Sequence, residues 1–276
     1  MTVPRQGTIA GPCGLAGRGL HSGQPARLRC LPAPVDTGIV FAAAAGGPEI
    51  PARLDAVVGT RRGVSLGRGS RVVRTVEHLL AAAHALGIAN LRVEVEGDEL
   101  PVMDGSAQPY VHAFQAAGLL AQDASWPPVV LGHPAWVTHG TSSVLAIPST
   151  ELRVTYVVPT GLSALGTQVV DVPDPPRAFA RDLAPARTWG FARELDGLRA
   201  EGLALGASEE NTLGLGPDGY LWPSRFPDEP ARHKVLDLLG DVALLGRPLR
   251  AHVIAVAAGH TLHVALARRI LETEAT

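Results

Sequence analysis

The chain has 276 residues, is 46% hydrophobic and 18% charged, and carries a formal net charge of −2. That composition supplies a large apolar core and excludes intrinsic disorder, while the near-neutral charge excludes a general surface for nucleic acid or other polyanions. The length suits two domains, and 31 Gly with 23 Pro favour short strands and turns over a helical bundle.

Along the chain, the opening "MTVPRQGTIAGPCG" lacks the apolar core of a secretory signal. Cys13 and Cys30 are isolated in the sequence, without the paired spacing of a structural zinc site, and read as ordinary thiols of a reducing compartment. The stretches "ARLRCLPAP" (26–34), "TGIVFAA" (37–43) and "NLRVEVEG" (90–97) have the alternation or β-branched content of strands. Helices are expected over 74–86, 107–118, 190–201 and 231–245. "AQDASWPP" (121–128) ends in a double proline that forbids continued helix and marks the expected linker. Beyond it, "PPVVLG", "AWVTHG", "SSVLAIPS" and "LRVTYVVP" read as short strands. The division expected is an N-terminal domain over 1–123 and a C-terminal domain over 124–276. The long uncharged runs at 105–122 and 251–267 are broken by Gly, His, Gln or Ser and do not read as membrane spans. The protein is expected to be soluble and cytoplasmic.

Two segments share one plan. "VEHLLAAAHALGIANLRVEVEG" and "HKVLDLLGDVALLGRPLRAHVIA" each run through a helix, a Leu-Gly stop, a short connection and a strand opening Leu-Arg. Glycine after the last turn is a common helix terminator. The repetition points to a duplicated α+β unit.

These two helices carry the candidate chemistry. His233, Asp237 and Asp241 recur at i, i+4 and i+8, forming with Lys234 a polar stripe opposite Val235, Leu236, Leu239, Val242 and Ala243. One reading is a solvated face with a weak ion pair. The other is a metal site, since an imidazole and a carboxylate one turn apart can both reach one ion. In the earlier helix, Glu77 and His78 sit among Leu and small Ala residues on all sides, so the helix is expected to be buried all round. A carboxylate there requires a partner: a core donor, a bound water or a metal. His260, after the apolar "HVIAVAAG", is a candidate acid beside such a site. Two imidazoles and one carboxylate form the donor set of a catalytic zinc, which leaves a position open for water. No HExxH helix is present.

The segments "GRGLHSGQPARLRCLPAPVDTGIVF" (17–41), "RTVEHLLAAAHALGIANLRVEVEGDELPVMDGSA" (74–107), "ARTWGFARELDGLR" (186–199), "ARHKVLDLLGDVALLGRP" (231–248) and "AGH" (258–260) together resemble the UDP-3-O-acyl-N-acetylglucosamine deacetylase family. The resemblance runs over about residues 3–270. It implies an α+β fold of two domains of similar topology, with helices sandwiched between two sheets and the site at the junction. It implies zinc-dependent release of acetate from a UDP-linked, 3-O-acylated amino sugar, the committed step of lipid A biosynthesis. His78, His233 and Asp237 correspond to zinc ligands and Glu77 to the general base. His260 corresponds to the general acid or electrostatic partner, supported by Asp241. Thr188 would steady the oxyanion and Lys234 would contact substrate. His21 and the 190–214 region, Phe191 included, are similar to parts that meet the sugar nucleotide and the acyl chain. An amphiphilic substrate is compatible with transient contact at a membrane surface; nothing points to nucleic acid or a protein partner.

The chain departs from the family pattern at Arg61, Arg62 and Gly63, at Glu209, Glu210 and Gly214, and at Trp189 in place of Phe. His263 stands where an Asn often follows the Gly-His pair. These departures bear on substrate range. The alternatives are the same amide hydrolysis on another acylated amino sugar, or a non-catalytic lipid- or nucleotide-binding relative.

Overall fold

The computed structural model describes residues 3–44 and 46–274. Among the described residues the six α-helices are α1 (Glu77–Ala85), α2 (Gln108–Ala117), α3 (Pro175–Ala178), α4 (Leu195–Ala200), α5 (Glu229–Val242) and α6 (His260–Glu274). None is long and apolar enough to cross a membrane.

Two sheets repeat one topology. In the first, the order is Cys13–Arg18, Pro25–Pro32, Leu91–Glu96, Ile39–Ala43 and Ile50–Pro51. In the second it is Ala135–His139, Ser142–Pro148, Leu249–Val256, Arg153–Pro159 and Thr167–Val172. In each, a hairpin is followed by a central strand that arrives after α1 or α5 and pairs parallel with the strand on its far side. The shared plan of the two segments is therefore a shared sheet position: α1 feeds Leu91–Glu96 and α5 feeds Leu249–Val256.

The inner faces of both sheets and the helices between them form one core, including Phe41, Val93 and Leu79 from the first half and Tyr156, Val253 and Leu238 from the second. Leu and Ala, strong helix formers, fill α1. The helix stops where Gly87 takes a φ of 75°. In α5, Pro230 sits in the first turn, where its missing N–H costs nothing, and Gly246 follows the last turn at φ 72°. The two helices pack directly together. Gly240 makes the approach possible, because a Cβ there would stand 2.1 Å from the Glu77 carbonyl oxygen.

Three expectations need correction. The stretch 190–201 is not one helix: Trp189–Phe191 is a strand parallel to Leu213–Gly216, followed by a 3-10 turn over Ala192–Glu194 and then α4. A partner more than 20 residues away in sequence, invisible to helical periodicity, decides that strand. Most of the expected linker is also structured. Leu119–Ser125 runs antiparallel to Arg5–Ile9, leaving Trp126–Pro128 as the connection to the second half. Finally, α6 forms where the sequence suggests only a histidine after a strand; Leu262, Val264, Leu266, Ala267 and Ile270 form its buried side.

Candidate active site

The site begins where α1 starts. Thr75, at φ 57°, turns the chain so that Glu77 and His78 occupy the first turn, 3% and 4% exposed. Glu77 Oε2 accepts the Val64 backbone N–H at 3.0 Å. Gly63 lies against the other oxygen so closely that a Cβ would come within 2.9 Å of Oε1. Burial pushes the Glu77 carboxyl up to about 7; His260 opposes the rise, and Asp241 and Asp237 add to it.

The polar stripe of α5 faces inward, so the solvated-face reading fails. His233 and Asp237 are each 2% exposed and Asp241 is fully buried. His233 Nε2 lies 3.3 Å and His78 Nε2 3.7 Å from the same oxygen, Asp237 Oδ1, and the two imidazoles meet edge to face with centroids 5.0 Å apart. His233 Nδ1 donates to the Ala186 carbonyl at 3.0 Å, so Nε2 presents its lone pair. That carbonyl is set by a buried pair: Arg187 bonds Glu229, at the start of α5, through its backbone N–H and through Nε, each at 2.9 Å. Despite its burial, Glu229 is held below the usual carboxylate range by Arg187.

The donor atoms of His78, His233 and Asp237 lie within 4.8 Å of one another. Acceptor atoms facing each other in a buried space repel unless a proton or a cation stands between them. A proton is a poor occupant, because burial, reinforced by His233, pushes His78 down to about 3. Asp237 stays ionised: burial favours its neutral form, but His233 and Lys234 hold it well below its ordinary value. A cation fits this donor set, and two imidazoles with one carboxylate match a catalytic zinc shell.

At the start of α6, His260 Nδ1 lies 2.8 Å from Asp241 Oδ2 and His260 Nε2 lies 3.7 Å from Asp237 Oδ2. Burial lowers His260, with Asp237 and Glu77 opposing, and burial pushes Asp241 up to about 7. Lys234 Nζ donates to Asp237 Oδ2 at 2.8 Å and stands 5.9 Å from the Trp189 ring centroid.

The cluster opens onto a cavity of about 630 Å³ with an apolar wall that includes Leu20, Leu198, Leu221 and Trp222. Its lining includes Glu77, His78, His233, Lys234, Asp237 and His260, together with Thr188, Phe191 and His21; Asp241 stands behind His260. Thr188 is fixed by its backbone, whose N–H donates to Gly105 and whose carbonyl accepts from Leu213. His21 is tied at both ring nitrogens, Nδ1 accepting from Ala204 N–H at 3.3 Å and Nε2 contacting the Arg62 carbonyl at 3.2 Å. The unusual Arg61 and Arg62 pair with Glu201 and Glu194 across the cavity rim.

Some supporting residues were not legible in the sequence. Glu99 accepts the backbone N–H groups of His21 and Ser22, each at 2.8 Å, and so shapes the loop that carries His21. Arg187–Glu229 and Tyr156 have no sequence signal either, since each meets partners brought together only by folding. His263 was visible as an unusual residue but without a role.

The chain matches the family described as LpxC: UDP-3-O-acyl N-acetylglycosamine deacetylase over residues 6–272. It is 45% identical to the UDP-3-O-acyl-N-acetylglucosamine deacetylase of Thermosynechococcus vestitus over 275 residues, covering 99% of this chain and 96% of that one. The enzyme of the same name from Trichormus variabilis is 41% identical, covering 97% of this chain and 98% of that one. For that of Chlamydia muridarum the identity is 41%, with 93% and 91% covered.

Proposed function

Because the chain belongs to the LpxC family of UDP-3-O-acyl N-acetylglycosamine deacetylases, we propose that the cluster where α1, α5 and α6 meet is its active site and that the metal is zinc. The chain is a deacetylase that removes the acetyl group from UDP-3-O-acyl-N-acetylglucosamine in lipid A biosynthesis. The observation that carries the site assignment is the buried convergence of His78, His233 and Asp237 on one small volume, with Glu77 and His260 on its border.

In this reading His78 Nε2, His233 Nε2 and Asp237 hold the cation. A bound zinc supplies a Lewis acid that polarises the acetamide carbonyl and lowers the pKa of water at the open position toward neutrality. Glu77 keeps one oxygen on Val64 N–H and takes the proton of the attacking water on the other. Its raised affinity for protons, a consequence of burial, suits a group that must accept one near neutral pH. His260, anchored through Nδ1 on Asp241, passes a proton from Nε2 to the departing nitrogen. Thr188 steadies the developing oxyanion. Lys234, beside Asp237 and half-buried at the cavity wall, contacts substrate, as do His21 and Phe191.

The division into units over 1–123 and 124–276 belongs to the same proposal, supported by the two sheets of equal order. A cytoplasmic location belongs to the same proposal: Cys13 and Cys30 face each other across neighbouring strands as free thiols, which suits a reducing compartment.

Purified protein should contain stoichiometric zinc and release acetate from UDP-3-O-acyl-N-acetylglucosamine. Chelation should stop the release and zinc should restore it. Full turnover by thoroughly metal-free protein would remove this reading.

A further inference from the structure

His263 takes no part in the steps above, yet it is fully buried and both of its ring nitrogens are engaged. It lies one turn beyond His260 on α6, so the two imidazoles share a side of the helix. Each Nδ1 is 2.8 Å from the same atom, Asp241 Oδ2. The other carboxylate oxygen, Oδ1, is buried without a hydrogen-bond partner among the described residues. On its far edge His263 Nε2 meets the Tyr156 hydroxyl at 2.8 Å, and that hydroxyl donates to the Ala258 carbonyl at 2.8 Å. Ala258 belongs to the turn that delivers the chain into α6, next to Ala257 at φ 49°. The contacts thus close a ring, from Asp241 through His263, Tyr156 and Ala258 to His260 and back to Asp241.

Counting protons gives the ring a direction. The Tyr156 hydroxyl has one proton, committed to Ala258, so His263 presents Nε2–H to the tyrosine oxygen. A bare Nδ1 facing a bare carboxylate oxygen at 2.8 Å would be repulsive, so a proton lies between His263 Nδ1 and Asp241 Oδ2. The same oxygen accepts Nδ1–H of His260, which leaves His260 Nε2 turned into the site. A carboxylate held by His260 alone, with Oδ1 unbound, would be free to rotate and take the imidazole with it.

We propose that His263 is a positioning residue for His260: by holding Asp241 Oδ2 it sets the direction in which His260 Nε2 meets the reacting acetamide. This rests on the reading of His260 as the proton donor.

Isosteric replacements separate the two contacts. His263→Asn puts an amide nitrogen where Nδ1 stands and gives up Tyr156, whereas His263→Gln reaches the Nε2 position and gives up Asp241. His263→Ala and His263→Gln should lower kcat by about 10–100-fold, with KM and bound zinc unchanged, and His263→Asn should recover most of the loss. Nitrogen-15 NMR of the His260 ring should show Nδ1 protonated throughout the titration in the wild type and the Asn variant, with Nε2 the nitrogen that gains and gives up the proton, and a mixture of neutral tautomers in the Ala and Gln variants. Wild-type kcat in His263→Ala, equal losses in the Asn and Gln variants, or an unchanged His260 tautomer in all three would overturn the proposal. His260→Ala separates the two levels. If that variant loses turnover while His263→Ala does not, only the positioning role falls. If His260→Ala keeps full turnover, the donor assignment fails and the positioning role goes with it.

Discussion

Helices α1 and α5 occupy equivalent places in the two halves, lie against each other and are buried along nearly their whole length, yet they are built on opposite plans. After Glu77 and His78, α1 is Leu, Leu and Ala through its middle, and its chemistry is confined to the first turn. α5 carries His233, Lys234, Asp237 and Asp241 over more than two turns. The same burial is therefore reached once with apolar side chains almost throughout and once with a buried polar stripe set beside an apolar face. A polar stripe on a helix identifies a face with polar neighbours, and those neighbours need not be water.

The contrast breaks most sharply at the metal ligands proposed on the two helices. His78→Ala on α1 and Asp237→Ala on α5 should both lose bound metal, measured by elemental analysis, and with it turnover falling to background. Retention of full metal by either variant would remove that residue from the shell. Glu77 differs from its neighbour in kind. Glu77→Gln should keep the metal and lose about 10²–10⁴-fold in kcat; a Gln variant of wild-type activity would leave the base unassigned.

The third prediction concerns the helix contact itself. Gly240→Ala pushes a methyl group against the Glu77 backbone, where neither helix has slack, and should cost about 1–3 kcal/mol of stability by denaturant unfolding. Because the displaced atoms belong to Glu77, turnover should fall too; a variant that melts like the wild type would show that the helices can separate cheaply.

The smallest effect lies at the other end of α1. Half-buried His84 packs against Trp126 with ring centroids 5.1 Å apart, and desolvation there pushes it from its ordinary 6.5 down to about 4. The unfolded chain takes up a proton near pH 6.5 that the folded chain resists until about pH 4. Stability therefore falls as the solution is acidified through that window. The wild type should lose melting temperature relative to His84→Gln between those pH values, and a constant difference would contradict the desolvation of this ring.

Local chemistry made much of the molecule readable in advance. Alternation in 91–96 and 153–159 marks strands because side chains project to opposite faces, and Leu-Ala content with a following glycine marks α1 because propensity and termination act within a few residues. The i, i+4 spacing of His233 and Asp237 is a property of one helix, and so is the adjacency of Glu77 and His78. What only the tertiary structure decided depends on pieces distant in sequence. Leu119–Ser125 is a strand because Arg5–Ile9 offers it hydrogen bonds, and Trp189–Phe191 is one because Leu213–Gly216 does. The stripe of α5 is buried rather than wet because α1 and α6 cover it, and His263 is engaged at both ring nitrogens because Asp241 and Tyr156 arrive from two other elements. Short-range preferences are written in neighbouring residues, whereas burial and shared protons exist only once the chain has closed on itself.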